Sequence, residues 1–518
     1  MRFLGIIAVF AGVVMTIPGD PPSSEWVYRG TGGKLVYKTT PAGDRILDFS
    51  HAGYMGGGVA LPDVPVRLTV RPSGSDDTDA IQAAIDEVAA RRPDGEFRGA
   101  VLLEPGIFRI GRTLRVSASG VVLRGSGSQG DARSTLKLLG ESFLAIAVRS
   151  VNGQRESGRA GVESADGKTT IRDTYVPAGS KTFDVFDAAG FTVGDLITIG
   201  KPVTERWVEY MQMHDLVRDG RKQTWLPTSR VLTTERTIAA ISGNTITLDV
   251  PLSDSYEAKY LDPPGTVVAR IDPPDRITQA GIEYLHIEAP VQAISHSKPH
   301  FTAVRLNGED CWIRDVVIDE TMNSVGIGGK RITVERVIIT REALHEGASR
   351  PAEFSPNGTQ VLIDRCEVDA ENVWFVGTGS GHAGPIVILN CEFRGDSRAE
   401  SHQRWSTGML YDNVTAPEGG VDFRNRGSMG SGHGLSMGWG VAWNCVAKDF
   451  VIQQPPGVHN WMIGCIGVSR PEPRPFGSGP NLPEGTRDSH GVHVTPQSLY
   501  LAQLAERLGP QAVKNIGY

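Results

Sequence analysis

Ile388-Leu-Asn-Cys391-Glu-Phe393, Tyr411-Asp-Asn-Val414-Thr-Ala416 and Ala442-Trp-Asn-Cys445-Val-Ala447 are one phrase written three times. Each has an apolar residue, two polar or turn residues, and then apolar residues in alternation. Working outward, the same phrase occurs at 282–287, 313–318, 334–339, 363–368 and 462–467, which makes eight copies. Their fourth residues, Leu285, Val316, Val337, Cys366, Cys391, Val414, Cys445 and Cys465, are 31, 21, 29, 25, 23, 31 and 20 residues apart. A repeat of about 26 residues built from short period-2 segments predicts a solenoid of stacked strands, a parallel β-helix, rather than a helical or leucine-rich repeat.

Composition agrees. Glycine is 62 of 518 residues, about 12% against a usual ~7%, with 32 prolines and 40% hydrophobic residues. Many short strands and many turns are expected, and a helical bundle, a coiled coil and a disordered chain are excluded. The balance of 52 basic against 59 acidic residues, with no basic block, offers no footprint for nucleic acid. An anionic ligand would need a local cluster of arginines.

The register also reads the cysteines. Four of the five, Cys366, Cys391, Cys445 and Cys465, share the phase of Leu285 and Val316, so they are expected inside the solenoid as small apolar groups. Their wide spacing suggests neither a zinc site nor a disulfide framework. One place earlier stand Asn390, Asn413 and Asn444, followed in series by Gly464. A tight turn there needs a left-handed backbone, which Asn tolerates best after Gly. The stacked amides are expected to hydrogen-bond along the axis.

This asparagine ladder resembles that of the pectate lyase superfamily of right-handed, single-stranded parallel β-helices. The first half strengthens the likeness. Gly74-Ser-Asp-Asp-Thr-Asp-Ala-Ile-Gln-Ala-Ala-Ile-Asp86 predicts an amphipathic helix N-capped by Asp77 or Thr78. Strand-like Ala100-Val-Leu-Leu-Glu-Pro-Gly-Ile-Phe-Arg109, 113–116 and 121–127 follow it. The resemblance implies a helix that caps the open end of the solenoid, and strands that form its first coils. Capping is also the expected use of Asp76, Asp77 and Asp79.

The organisation expected is a signal peptide over 1–19, the cap helix and first coils over 20–150, an inserted small β domain over 151–275, the main β-helix over 276–470, and a Pro-rich tail with a C-terminal helix over 471–518. Phe3 to Ile17 are apolar or small, a run of 15, too short to span a bilayer, so the reading is export to the periplasm or outside, with a short uncleaved anchor as the competing expectation. In the insert, Trp207, Tyr210, Met211, Met213 and Trp225 are expected either to pack its own core or to line a sugar-stacking lip. Gln497 to Leu508 has helical 3–4 spacing closed by Gly509-Pro510, and is expected to pack across the solenoid or cap it.

The chemistry is expected 9–13 residues upstream of each anchor phrase. His402 and His433 both stand 12 residues before their anchors, and His382 and Trp405 both stand 9 before theirs. Arg404, Asp422, Arg424 and Arg426 lie in the same 52-residue stretch, and Gly377 to Gly384 and Gly427 to Gly440 flank the histidines. Earlier coils carry Val304, Leu306, Val325 and Ile327 at −12 and −10, so burial of the histidines is the competing expectation. A one-residue change of turn length exchanges the two faces.

In chemical terms, arginines or a calcium ion can neutralise the carboxylate of a uronate, and a histidine can move the proton. The favoured expectation is a secreted polysaccharide lyase acting on an anionic, uronate-containing polymer. Arg424 and Arg426, with Arg404, would hold the carboxylate. His402 or His433 would be the base, and His382, Trp405 and Asp422 would bind substrate. The alternatives are a glycoside hydrolase, for which Gly432-His-Gly-Leu-Ser-Met-Gly438 resembles the G-H-G segment of polygalacturonases without their paired aspartates, and a non-catalytic glycan-binding β-helix. The grouped aspartates and R-x-P-x-x-R of calcium-dependent pectate lyases are absent.

Overall fold

The computed structural model describes residues 22–150, 163–347, 349–471 and 478–518. The expected signal peptide and part of the Pro-rich tail lie outside the described residues. Among the described residues, no helix is long and apolar enough to cross a membrane.

The chain is all-β with few helices, and among the described residues 27 strands join one continuous sheet of parallel neighbours, coil on coil. Each coil contributes to three walls. The first wall runs through 144–148, 304–306, 325–327, Ala352–Pro356, Trp374–Gly377, Arg398–Glu400, 420–423 and 449–452. The second runs through Gly281–Glu283, 311–314, 332–335, Thr359–Asp364, Ala383–Leu389, Ser406–Asp412, Val441–Trp443 and Trp461–Ile463. The third follows from the anchor phrases themselves, through His286–Glu288, Glu367–Ala370 and Glu392–Arg394.

The turn between the second and third walls is left-handed in all eight coils. φ is +56° at Tyr284, +52° at Asp315, +51° at Arg336 and Arg365, +48° at Asn390, +55° at Asn413, +51° at Asn444 and +65° at Gly464. The fourth residue of each phrase therefore turns inward. All five cysteines are free and buried, and the backbone amide of Cys366 lies 3.4 Å from Cys391 Sγ.

The amides do not bond to one another, which corrects the ladder expectation. Asn390 donates to the Tyr518 hydroxyl (2.7 Å), Asn413 accepts from Gln497 (2.9 Å), and Asn444 donates to the Val494 carbonyl (2.8 Å). The reason is proximity. The C-terminal segment lies across the outer face of the second wall and offers these side chains partners closer than the next coil. Its helix, Leu499–Leu508, is capped by Ser498, whose hydroxyl accepts from the Leu501 amide, and buries Leu499, Tyr500 and Leu504.

At the other end, helix Thr78–Ala90 buries Ile81, Ile85 and Val88 against the interior of the first coils. Asp77 holds the N-cap position, but its carboxylate accepts from the Ser73 (2.8 Å) and Arg109 (3.0 Å) amides, while Asp76 takes the Thr78 amide (2.8 Å).

Within the insert, six strands form an antiparallel sheet in the order Glu163–Thr170, Val267–Ile271, Leu196–Pro202, Val231–Ser242, Thr245–Leu248, Thr182–Asp184. It does not stand apart. Its apolar side chains share one cluster with the outer face of the second wall and with the C-terminal helix. Trp207, Met211, Met213 and Trp225 are all buried, and Tyr210 stacks on Tyr260 at 4.0 Å, so the aromatics of the insert are packing and not a lip. At the seam, Trp207 and Trp225 meet Trp405 edge-on at 5.8 and 5.9 Å.

Candidate functional site

The first wall ends, coil after coil, in the turns that carry the histidines. Strand Arg398–Glu400 runs out into Ser401-His402, and strand Thr415–Phe423 runs out into the long turn that carries Arg424, Arg426 and His433. Glu400 and Asp422 are register neighbours on adjacent coils, as are Arg398 and Gly420. Alternation along an extended strand puts Arg398, Glu400 and His402 on one side.

Glu400 is fully buried. Its Oε1 lies 2.7 Å from Nδ1 of His402 and forms an ion pair with Arg426. Burial pushes this carboxyl up, but Arg426, His402 and Arg424 outweigh burial and hold it well below the usual carboxylate range. The His402 ring packs at 5.2 Å from Trp374 and at 5.1 Å, edge-on, from His433. The equal spacing of the two histidines from their anchors thus corresponds to ring contact across adjacent coils. His433 is pushed down to about 3 by burial, reinforced by His402, Arg426 and Arg404, so it is neutral at neutral pH. It needs a bare backbone beside it: Gly430 has φ +59°, and a Cβ there would stand 2.2 Å from His433 Cε1.

The arginines are committed to acids or to backbone. Arg398 donates through Nε to Asp422 (2.9 Å) and reaches Asp449, one coil further on, at 2.5 Å. It can lie over the intervening coil because residue 420 is glycine, where a Cβ would sit 2.1 Å from its guanidinium. Arg424 stands 3.6 Å from Asp422. Arg426 is 7% exposed and also lies 5.1 Å from the centre of Trp374. Arg404 donates to the carbonyl (2.9 Å) and hydroxyl (2.6 Å) of Ser431.

Three sequence expectations need correction. Trp405 is 1% exposed and donates Nε1–H to Asp254 (3.0 Å), so no sugar can stack on it. Arg404 and Trp405 have φ of +49° and +62°, and these consecutive left-handed residues turn the indole away from the His402–His433 side and into the seam with the insert. Asp422 is fully buried beneath Arg398 and Arg424, and supports the wall rather than touching a ligand. His382 stands apart from the His402–His433 pair: its contacts are with the Asn357 backbone and Arg230 of the insert, and burial followed by Arg230 pushes it down to about 4.

Glu400 and Trp374 were missed. The i, i+2 spacing of Glu400 and His402 was a usable signal for the first. Nothing in the sequence marked the second, because Trp374 reaches His402 across coils. Calcium, the chemical alternative to arginines for neutralising the carboxylate, does not fit the residues present. Glu400, Asp422 and Asp449, the carboxylates at the ends of the first-wall strands here, are bound by arginines, and among the described residues no group of His, Cys, Asp or Glu is arranged to hold a metal ion.

No family model and no curated protein matches the chain. Among solved structures it is similar to the tailspike protein gp49 of Pseudomonas phage LKA1, at 15% identity over 75% of this chain and 56% of that one, TM-score 0.40. It is similar also to the gp54 tailspike of Acinetobacter baumannii bacteriophage AP22, solved with an A. baumannii capsular saccharide, at 12% identity over 76% and 61%, TM-score 0.35. The A-module of the Azotobacter vinelandii mannuronan C-5 epimerase AlgE4 shows 11% identity over 81% and 95%, TM-score 0.26. The chain therefore spans less than two thirds of the length of either tailspike.

Proposed function

We propose that the protein is an exported carbohydrate-active enzyme, a polysaccharide lyase that cleaves a uronate-containing polymer in a groove on a right-handed, single-stranded β-helix. The observation that carries this reading is the Glu400–His402 pair. A buried, ionised carboxylate accepts the Nδ1 proton, fixes the imidazole tautomer, and leaves Nε2 as the proton acceptor.

On this reading His402 Nε2 takes the proton from the carbon next to the uronate carboxylate. The electron pair forms the new carbon–carbon double bond and expels the glycosidic oxygen, which regains a proton from the imidazolium or from groove water. The positive field of Arg404, Arg424 and Arg426 opposes the charge that builds on the carboxylate. His433, neutral and in contact with His402, shapes the wall without competing for the proton.

Hydrolysis is the second reading, and Glu400 cannot serve as its acid. A hydrolase needs one carboxyl held protonated by a raised pKa, whereas Glu400 is pulled down. The test is incubation with pectins, alginate, glycosaminoglycans and neutral glycans. Ultraviolet absorbance from an unsaturated uronate is expected. Reducing ends without absorbance would establish a hydrolase, and binding without turnover a non-catalytic module.

A further inference from the structure

Among the described residues, two cations near the histidines have no acid of their own: Arg404, which is held by Ser431, and Arg350. Arg350, in the loop that leads into strand Ala352–Pro356, holds its guanidinium 5.2 Å from the centre of the Trp374 ring, and among the described residues it makes no ion pair. Arg398, Arg424 and Arg426, by contrast, are each paired with Asp422, Asp449 or Glu400.

The loop is fixed where Arg350 leaves it. The Trp374 amide donates to the Pro351 carbonyl at 2.7 Å, and proline at 351 holds residue 350 to extended conformations. Further back, Asn372 donates to the His345 carbonyl (2.9 Å), and the His296 amide donates to His345 Nε2 (2.8 Å). Stacking occupies a face of a guanidinium and leaves its N–H edges open for a planar oxyanion. Trp374 is itself 5.2 Å from the His402 ring, so an anion on those edges stands beside the proposed base.

We infer that Arg350, presented on Trp374, is the residue that receives the anionic substituent of the sugar, a carboxylate or a sulfate ester. The inference rests on the reading of this groove as a polysaccharide site, and it moves anion recognition from Arg424 and Arg426 to a loop residue. Those two keep Asp422 and Glu400 in place.

The test is calorimetric titration of the full chain with polygalacturonate, alginate, dextran sulfate and neutral dextran, using the native protein and Arg350→Ala, Arg350→Lys and Trp374→Leu variants of confirmed melting temperature. Loss of a charged hydrogen-bonding partner corresponds to about 10- to 100-fold in affinity. Arg350→Ala is expected to lose that much toward a uronate polymer, Arg350→Lys to recover only part, and Trp374→Leu to weaken binding although its charge is unchanged. The same pattern with dextran sulfate alone would assign a sulfate ester. Native protein that binds an anionic polymer, with Arg350→Ala binding it equally, overturns this inference and leaves the proposed function standing. Native protein that binds none of the four overturns both.

Discussion

Nδ1 of His402 lies 2.7 Å from Oε1 of Glu400, and the carboxylate has no exposed surface. An imidazole held this way has its tautomer set by the protein. Glu400→Gln is expected to lower kcat on the polymer that scores in the panel by about 10²- to 10⁴-fold, as is His402→Ala. Because the two act as a unit, the double variant should be no worse than the weaker single variant. Steady-state kinetics on folded variants check this, and additive losses would separate the two residues.

Trp405 fills the seam between solenoid and insert. Trp405→Ala is expected to cost about 3–5 kcal/mol in urea unfolding, the range for deleting a buried aromatic. Trp405→Phe, which keeps most of the contact, should leave KM for the polymer unchanged. A raised KM in that variant would return Trp405 to the groove.

Lys201 is 4% exposed and donates to Asp254 and to the Ser255 carbonyl, both at 2.9 Å, with its ammonium 4.7 Å from the centre of the Trp207 ring. Asp254 also takes Nε1–H of Trp405 and of Trp439. Lys201→Met leaves a buried carboxylate without its counter-ion, and a loss of about 3–5 kcal/mol is expected by chemical denaturation.

Asp412 is fully buried and accepts from the Ser498 hydroxyl and the Tyr500 amide at 2.8 Å. Burial raises its carboxyl to about 7, against the pull of those bonds. The folded state therefore keeps a proton that the unfolded chain releases above ~4, and stability from this residue is lost as pH rises toward 7. The advantage of the native protein over Asp412→Asn should shrink by about 2–3 kcal/mol between pH 5 and pH 8. Denaturation at both pH values measures it.

The five thiols are free and buried, and burial pushes those of Cys311, Cys391 and Cys445 well up. A thiol-specific chromogenic disulfide should find none of them in the native protein and all five in guanidinium chloride. Rapid reaction of Cys366, Cys391, Cys445 or Cys465 in the native state would contradict the register assigned to the anchor phrases.

The parallel coils were legible because a solenoid writes each coil into the chain in order. Asn390, Asn413 and Asn444 marked a turn that proves left-handed at Tyr284, Asp315, Arg336 and Arg365 as well, where no small or amide residue announces it. The histidine pair was legible for the same reason, since equal distance from equivalent anchors becomes adjacency across coils. Trp405 was misread from the same arithmetic. Counting back from the anchors gives it the place of His382, but a register shift between Ala383 and Ile386 pairs Ala383 with Thr407, and two consecutive left-handed residues turn Trp405 to the other side; no spacing rule carries that information.

By itself, the sequence determined the repeat, the inward cysteines, the two end helices and the stretch in which the histidines and arginines gather, because these depend on order and period along one chain. Only the tertiary structure decided which groups meet. It paired Arg426 with Glu400 and Arg398 with Asp422 and Asp449, set the insert's tryptophans edge-on against Trp405, and left Arg350 on Trp374 with no ion pair among the described residues. Those pairings depend on loops whose lengths vary from coil to coil, and on burial, which makes an ion pair necessary where an exposed charge would need none.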